Sequence, residues 1–353
     1  MNVIDYLNYY KGYSFDEYPF NDMDNILFAS LIYINFKELD SSKKVSILDI
    51  DVKYNDHYAY DCFCLIKNSI RYKDLYFSNY VNISNSTTQF GALSIRYKKK
   101  LYVVYKGTDN STIGWKENFE LLYKNETKAQ GCAVKYLNDV TTHRDKEIYL
   151  IGHSKGGNLA MYTYLYSNNY IKRKVKKIYN NDGPGFKNDI YNSSFYKDME
   201  SKLKMFIPEC SIVGTLLNMP IKYNVIKSDS KGFKAHDMST WQCFGTVMIK
   251  GSITKESFKL NEDVIKMLNK YNSNEIREMV ESFFKILEDN NIKTTDDFSK
   301  LKLNKKKDML LNVKNMKSDA RKIFIKLAKN FFINIRRWYN GKRKSIWKRI
   351  KLY

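Results

Sequence analysis

The sequence predicts an α/β fold, a mostly parallel central sheet flanked by helices, followed by a helical C-terminal extension. Three observations carry this reading. Between about residues 92 and 255, short apolar runs of strand length alternate with helically spaced segments. A strand, a glycine-rich turn and a helix follow one another without a break over Ile148–Met161. Beyond about Glu256 the apolar spacing is purely helical.

Taken in order, the stretch Asp24–Phe36 has helical apolar spacing and reads as a packed helix. Residues 37–90 are polar and Tyr-rich and give no assignment. Leu93–Tyr97 and Leu101–Tyr105 read as strands joined by a basic turn, Lys98–Lys100. Asp109–Asn118 reads as a loop and Phe119–Val140 as helical. Glu147–Ile151 reads as a strand and Asn158–Tyr166 as a helix, and Val175–Tyr179, Leu203–Ile207 and Tyr223–Lys227 are further strands. In Glu275–Leu287 the residues Ile276, Met279, Val280, Phe283 and Leu287 share a face, with Ser273 as N-cap. Helices are also expected over Asp296–Met316 and Ala320–Trp338. The change of texture sets a boundary at 255, with a main domain over 1–255 and a helical extension over 256–353.

The formal charge of +22 is concentrated at one end. Residues 301–353 hold 18 Lys and Arg against Asp308 and Asp319, a net of +16. The rest of the chain is therefore ordinary in charge, and its many Lys, Asn, Ile and Tyr read as AT-rich coding bias. Five scattered cysteines form no zinc pattern and read as reduced thiols. No signal peptide and no apolar run of membrane-spanning length is seen, so a cytoplasmic location is expected. No metal or cofactor is called for.

The chemistry lies in Gly152-His-Ser-Lys-Gly-Gly157, which fits the G-x-S-x-G nucleophile elbow of α/β-hydrolases. The chain must reverse from strand to helix at Ser154, which strains that residue and lifts its hydroxyl clear of the sheet. Gly152 and Gly156 flank it where a Cβ would collide, and Gly157 and Ala160 let the helix lie close. The Lys155 N–H then points from a helix N-terminus toward a developing oxyanion. Upstream, Leu101–Asp109 is a strand ending in a small-residue loop, which makes Thr108 the second oxyanion donor.

A serine nucleophile needs a base. Of four histidines, His57 and His143 precede the elbow, His153 is adjacent to Ser154, and only His236 follows it, as the fold's order of Ser, acid, His requires. For the acid, Asp182 just beyond the following strand is favoured. Glu209, Asp229 or a Ser–His dyad stay open.

Lys106-Gly-Thr108, Trp115 and the Gly152–Gly157 elbow resemble the class 3 (fungal-type) lipases, whose pattern is an Arg-Gly-Thr/Ser oxyanion loop, a Trp-bearing lid and a Gly-His-Ser-Leu-Gly-Gly elbow. Over about residues 1–255 the chain is more similar still to a family of bacterial lipase-like (Mbeg-like) proteins. That likeness rests on Asp5-Tyr-Leu7, Pro19-Phe-Asn21, Asp182-Gly-Pro-Gly-Phe186, Ser211-Ile-Val-Gly214 and His236-Asp-Met-Ser-Thr-Trp241. The resemblance implies an α/β-hydrolase fold and ester hydrolysis. Class 3 lipases place their Asp after the next strand, where this chain has Ser211. The expected activity is a serine carboxylic ester hydrolase of lipase or esterase type. A thioesterase or peptidase with the same residues is a rival within the enzyme class, and a non-catalytic α/β-hydrolase scaffold or membrane-associated binding protein is the rival outside it.

In the tail, Phe324, Leu327, Phe331, Ile335 and Trp338 fall on one helical face with Lys and Arg on the rest. Residues 318–353 could thus lie on an anionic membrane surface, with Trp338 and Trp347 at headgroup depth. A helix packed on the main domain competes with this reading, and nucleic acid is the weaker partner.

Overall fold

The computed structural model describes all residues except 37–38, 40–41, 55–56, 188–189, 191–192, 221, 302–311 and 330–353. The chain opens with helices α1 (Val3–Tyr10) and α2 (Asp22–Leu31), strand β1 (Val45–Ser46) and helix α3 (His57–Lys67). Strands β2 (Tyr76–Ser84), β3 (Gln89–Tyr97) and β4 (Lys100–Tyr105) follow, then helices α4 (Thr112–Glu120) and α5 (Lys128–Val140). Next come β5 (Glu147–His153), α6 (Lys155–Tyr166), α7 (Asn169–Lys174), β6 (Val175–Asn181), α8 (Ser194–Glu200), β7 (Leu203–Pro208) and β8 (Asn224–Ile226). A small hairpin of β9 (Cys243–Phe244) and β10 (Val247–Met248) precedes α9 (Lys255–Leu268), α10 (Ser273–Asp289) and α11 (Thr295–Lys300). Helical backbone resumes over 318–329.

Strands β1 to β8 form one sheet in chain order. β1 to β4 pair antiparallel and β4 to β8 parallel. The parallel half therefore lines up the C-terminal ends of β4, β5, β6 and β7 along one edge, where such sheets carry their ligands. Apolar side chains of β3 to β6 project to both faces, giving two cores. One packs under α1–α3 and the other under α5 and α6.

The basic turn is a two-residue hairpin. Tyr97 faces Lys100, and Lys98 takes φ 51°. Some expectations need correcting. Asp109–Asn118 is not all loop, because Ser111 caps α4 through the Gly114 N–H and the helix runs from Thr112. Phe119–Val140 is not one helix, because α4 ends at Glu120 and Thr127 starts α5 with its own capping box to Gln130. The N-cap of α10 is Asn272, one residue before Ser273, again with a capping box, to Glu275. Of the helix expected over Asp296–Met316, α11 ends at Lys300 and residues 302–311 lie outside the described residues.

α2 is buried along its whole length, so its polar groups need internal partners. Asp24, the N3 residue of the Asn21 capping box, accepts from Arg71 Nε (2.9 Å) and a second guanidinium nitrogen (2.6 Å), and from the hydroxyls of Tyr6 (3.0 Å) and Tyr72 (2.7 Å). This knot ties α1, α2 and the segment before β2 together. A third core joins the helices beyond residue 255 to the segment around α4. There Ile276, Met279, Val280 and Phe284 of α10 meet Ala320 and Ile323, and Tyr123 behind α4. Phe324 stacks on Phe283 at 5.0 Å, and Leu327 joins the same cluster. The part of the basic tail over 318–329 is thus packed, with Phe324 and Leu327 turned to the protein, while Phe331, Ile335, Trp338 and Trp347 lie outside the described residues.

Both members of the Arg71–Asp24 pair are fully buried. Arg71→Met is therefore expected to lose about 3–5 kcal/mol of stability in urea unfolding at neutral pH, because it leaves a buried carboxylate without its cation. A loss below about 1 kcal/mol, the size of an exposed pair, would show that the pair does not anchor this region.

Candidate active site

β5 ends at His153 and α6 begins at Lys155, so Ser154 alone makes the turn. It does so at φ 56° and ψ −132°, a conformation that costs a non-glycine residue about 1–3 kcal/mol. The strain is held by main-chain bonds on both sides, from the Ser154 N–H to Asn181 O (3.0 Å) and from the Gly157 N–H to Ser154 O (2.9 Å). The crossing is close, since a Cβ on Gly152 would fall on the Gly156 main chain and one on Gly156 on the Tyr105 carbonyl. Ser154 makes no side-chain cap on the helix it opens, so its hydroxyl is not spent there.

Asp182 sits one residue past the end of β6 at φ 52° and is completely buried. Its Oδ2 lies 2.6 Å from His236 Nδ1. Its Oδ1 accepts from Ser211 Oγ at 2.5 Å and from the Gly214 N–H at 3.1 Å. A carboxylate only accepts, so Nδ1 of His236 is the donor in this contact. Ser211, the departure from the class 3 pattern, is thus a donor to Asp182. The other two carboxylates stand elsewhere. Glu209 accepts the Ser252 N–H at 3.2 Å, and Asp229 holds the Gln242 amide on the surface.

His236 ends a short 3₁₀ turn, Gly232–His236. Its carbonyl accepts from His153 Nε2 at 2.8 Å, and Trp241 Nε1 donates to Ala235 O at 2.8 Å. His153 is therefore a brace, its ring centroid 4.4 Å from that of His236. With Nε2 donating, its Nδ1 accepts from the Tyr33 hydroxyl at 3.1 Å. Burial, and then the charge of His236, hold the His153 pKa well below the ordinary 6.5. His57 begins α3, and His143 is exposed before β5.

Ser154, Lys155, Thr108 and His236 all border one cavity of about 610 Å³, within the usual range for small-molecule sites. Thr108 Oγ1 accepts from Asn118 Nδ2 at 2.7 Å. The remaining walls are mostly apolar and include Trp115, Phe119, Leu217, Leu260, Val264 and Leu327. The last three belong to α9 and the 318–329 helix. Sequence reasoning passed over the supports, namely Ser211, Gly214, Tyr33 and the bracing role of His153. Ser211 and Gly214 left a signal, both lying in a stretch that carries the family likeness, with Ser211 at the position where an acid was sought.

A mostly parallel α/β sheet carrying a strained serine and a buried Asp–His pair over an apolar cavity has the layout of a lipase-like protein. Residues 66–285 match the Mbeg1-like family, a lipase-like family, and the chain belongs to it. No curated protein matches the chain.

Because His153 is buried and neutral, the unfolded chain takes up a proton near pH 6.5 that the folded chain does not. Stability is then constant with respect to this group above pH 6.5 and falls as pH drops below it, by up to about 1.4 kcal/mol per pH unit. Urea unfolding at pH 7.5 and 5.5 should show a larger acid loss for the native protein than for His153→Gln. Equal losses would mean that the imidazole is protonated in the folded state.

Proposed function

We propose that the protein is an α/β-hydrolase cleaving carboxylic esters through an acyl-enzyme on Ser154. The observation that carries this is the 2.6 Å contact of a fully buried Asp182 with His236 Nδ1, on the same cavity as Ser154. That contact leaves His236 Nε2 as the base. It removes the Ser154 proton as the hydroxyl attacks the ester carbonyl, and returns it to the departing alcohol. The oxyanion is received by the main-chain N–H groups of Thr108 and Lys155, donors worth about 10²–10³ each in rate. Water activated by His236 then frees the acid product. The apolar walls favour an acyl chain or another apolar group over a charged substrate.

Ser154→Ala should abolish turnover of a short activated ester and labelling by a fluorophosphonate while keeping the native fold. His236→Ala should lower kcat by about 10⁴ or more, and Asp182→Asn by less, because it misorients the base without removing it. A native protein inert to both reagents would leave the α/β-hydrolase as a non-catalytic scaffold. Neutral Asp182→Asn beside a crippled Glu209→Gln or Asp229→Asn would move the acid.

Residues 330–353 are proposed to hold the enzyme on an anionic membrane surface from the cytoplasmic side. They carry eight Lys and Arg and no acidic residue, with Trp338 and Trp347 between them. Each basic residue near such a surface gains about 1 kcal/mol. Among the described residues no helix is long and apolar enough to cross a membrane, so binding would be peripheral. Because Ala320 and Ile323 are core residues, the deletion that tests this starts at 330. It should weaken co-sedimentation with phosphatidylglycerol vesicles and spare activity on a soluble ester. Full-length protein that ignores the vesicles but binds duplex DNA with a steep salt dependence would overturn the membrane reading.

A further inference from the structure

Lys155 supplies a main-chain donor to the proposed oxyanion hole, but its side chain turns away from the chemistry into the protein. The ammonium is 3% exposed and its partner Glu117 2% exposed. An ammonium has three N–H donors, and three acceptors meet it: Gln89 O at 2.6 Å, Gln89 Oε1 at 2.5 Å and Glu117 Oε2 at 2.8 Å. Glu117 Oε2 also accepts the Gln89 N–H at 3.0 Å, and Gln89 Nε2 donates to Gly107 O at 3.3 Å. Gly107 directly precedes Thr108, the other oxyanion residue. On α4, the neighbour of Glu117 is Asn118, whose amide holds the Thr108 hydroxyl.

We propose that Lys155, Glu117 and Gln89 form a buried strut that fixes the spacing of the two oxyanion donors, with the Lys155 side chain as its positioning residue. The inference rests on the ester-hydrolase reading of the site. The strut has two arms. One runs from Lys155 through Gln89 to the main chain of Gly107, and the other from Lys155 through Glu117 and along α4 to Asn118 and Thr108. Each donor sits on a separate element, the start of α6 or the loop after β4. Burial holds the Lys155 pKa below the usual lysine range, and the Glu117 carboxylate opposes that shift. A buried ion pair adds little stability over apolar residues of similar volume. Glu117 Oε1 is buried without a partner, an added cost of keeping the charge there. A gain in position explains such an arrangement where a gain in stability does not.

The strut predicts a loss in kcat without a loss in binding, because the oxyanion exists only after attack. Misplacement by about an ångström can cost on the order of 10²-fold. Gln89→Met keeps the Lys155–Glu117 ion pair and the Gln89 main-chain acceptor but cuts the link to Gly107. Lys155→Met/Glu117→Gln removes both charges together, so neither is left buried alone. Each variant should fold with an unchanged near-UV spectrum, hydrolyse a soluble ester with kcat lower by about 10–100-fold at nearly native KM, and react more slowly with a fluorophosphonate by a similar factor. Native kcat in Gln89→Met, the variant that keeps the ion pair, would overturn the strut. So would a folded double variant with native kcat, since it would leave the ion pair as packing alone. A wild-type protein inert to ester and fluorophosphonate is a different result, which removes the hydrolase reading and this inference with it.

Discussion

A carboxylate taken out of water must be answered inside the protein, and three of them organise this molecule. Asp24, Glu117 and Asp182 are all buried. Each is met by a different chemistry: a guanidinium with two phenols, an ammonium with an amide, and an imidazole with a hydroxyl and a main-chain N–H. Since an unanswered buried charge costs several kcal/mol, each carboxylate fixes the elements that bring its partners. Asp24 sets the N-terminal helices on the sheet, Glu117 sets α4 against the elbow, and Asp182 sets the loop that carries His236. The geometry of the site is in this sense a by-product of desolvation.

Much of this was legible in the sequence, for reasons that can be named. The elbow was readable because a strand-to-helix reversal within one residue demands glycines at fixed positions, and Gly152 and Gly156 are there. His236 was picked by chain order among four histidines, and its ring meets Asp182. The parallel strands announced themselves as apolar runs, since both their faces are buried. Asp182 was favoured from its place after β6, while Glu209 and Asp229 stayed open because carboxylate partners separated by tens of residues leave no periodic trace.

What was missed has several causes, and one is that polar partners found at long range have no local signature. α4 was read partly as loop because Asp109, Asn110, Ser111 and Gly114 are turn-like, although Ser111 is in fact the cap that starts the helix. Strand β2 was hidden in a polar stretch because its outer half, Asn82–Ser84, faces solvent. The side chain of Lys155 received no reading from the sequence. It is buried because Gln89 and Glu117, 66 and 38 residues away, converge on it.

The wall that Leu327 contributes to the cavity has a consequence for how the protein comes into being. Domains tend to fold in the order in which they are synthesised. The sheet, the elbow and the Asp–His pair are all complete by residue 241, so they can assemble while the ribosome is still making the extension. Until residue 327 has emerged, the cavity stands open on that side, with apolar residues such as Phe119 and Leu217 facing water. A nascent chain therefore carries a formed strand-to-helix turn in an unfinished chamber, which closes only when the 318–329 helix docks.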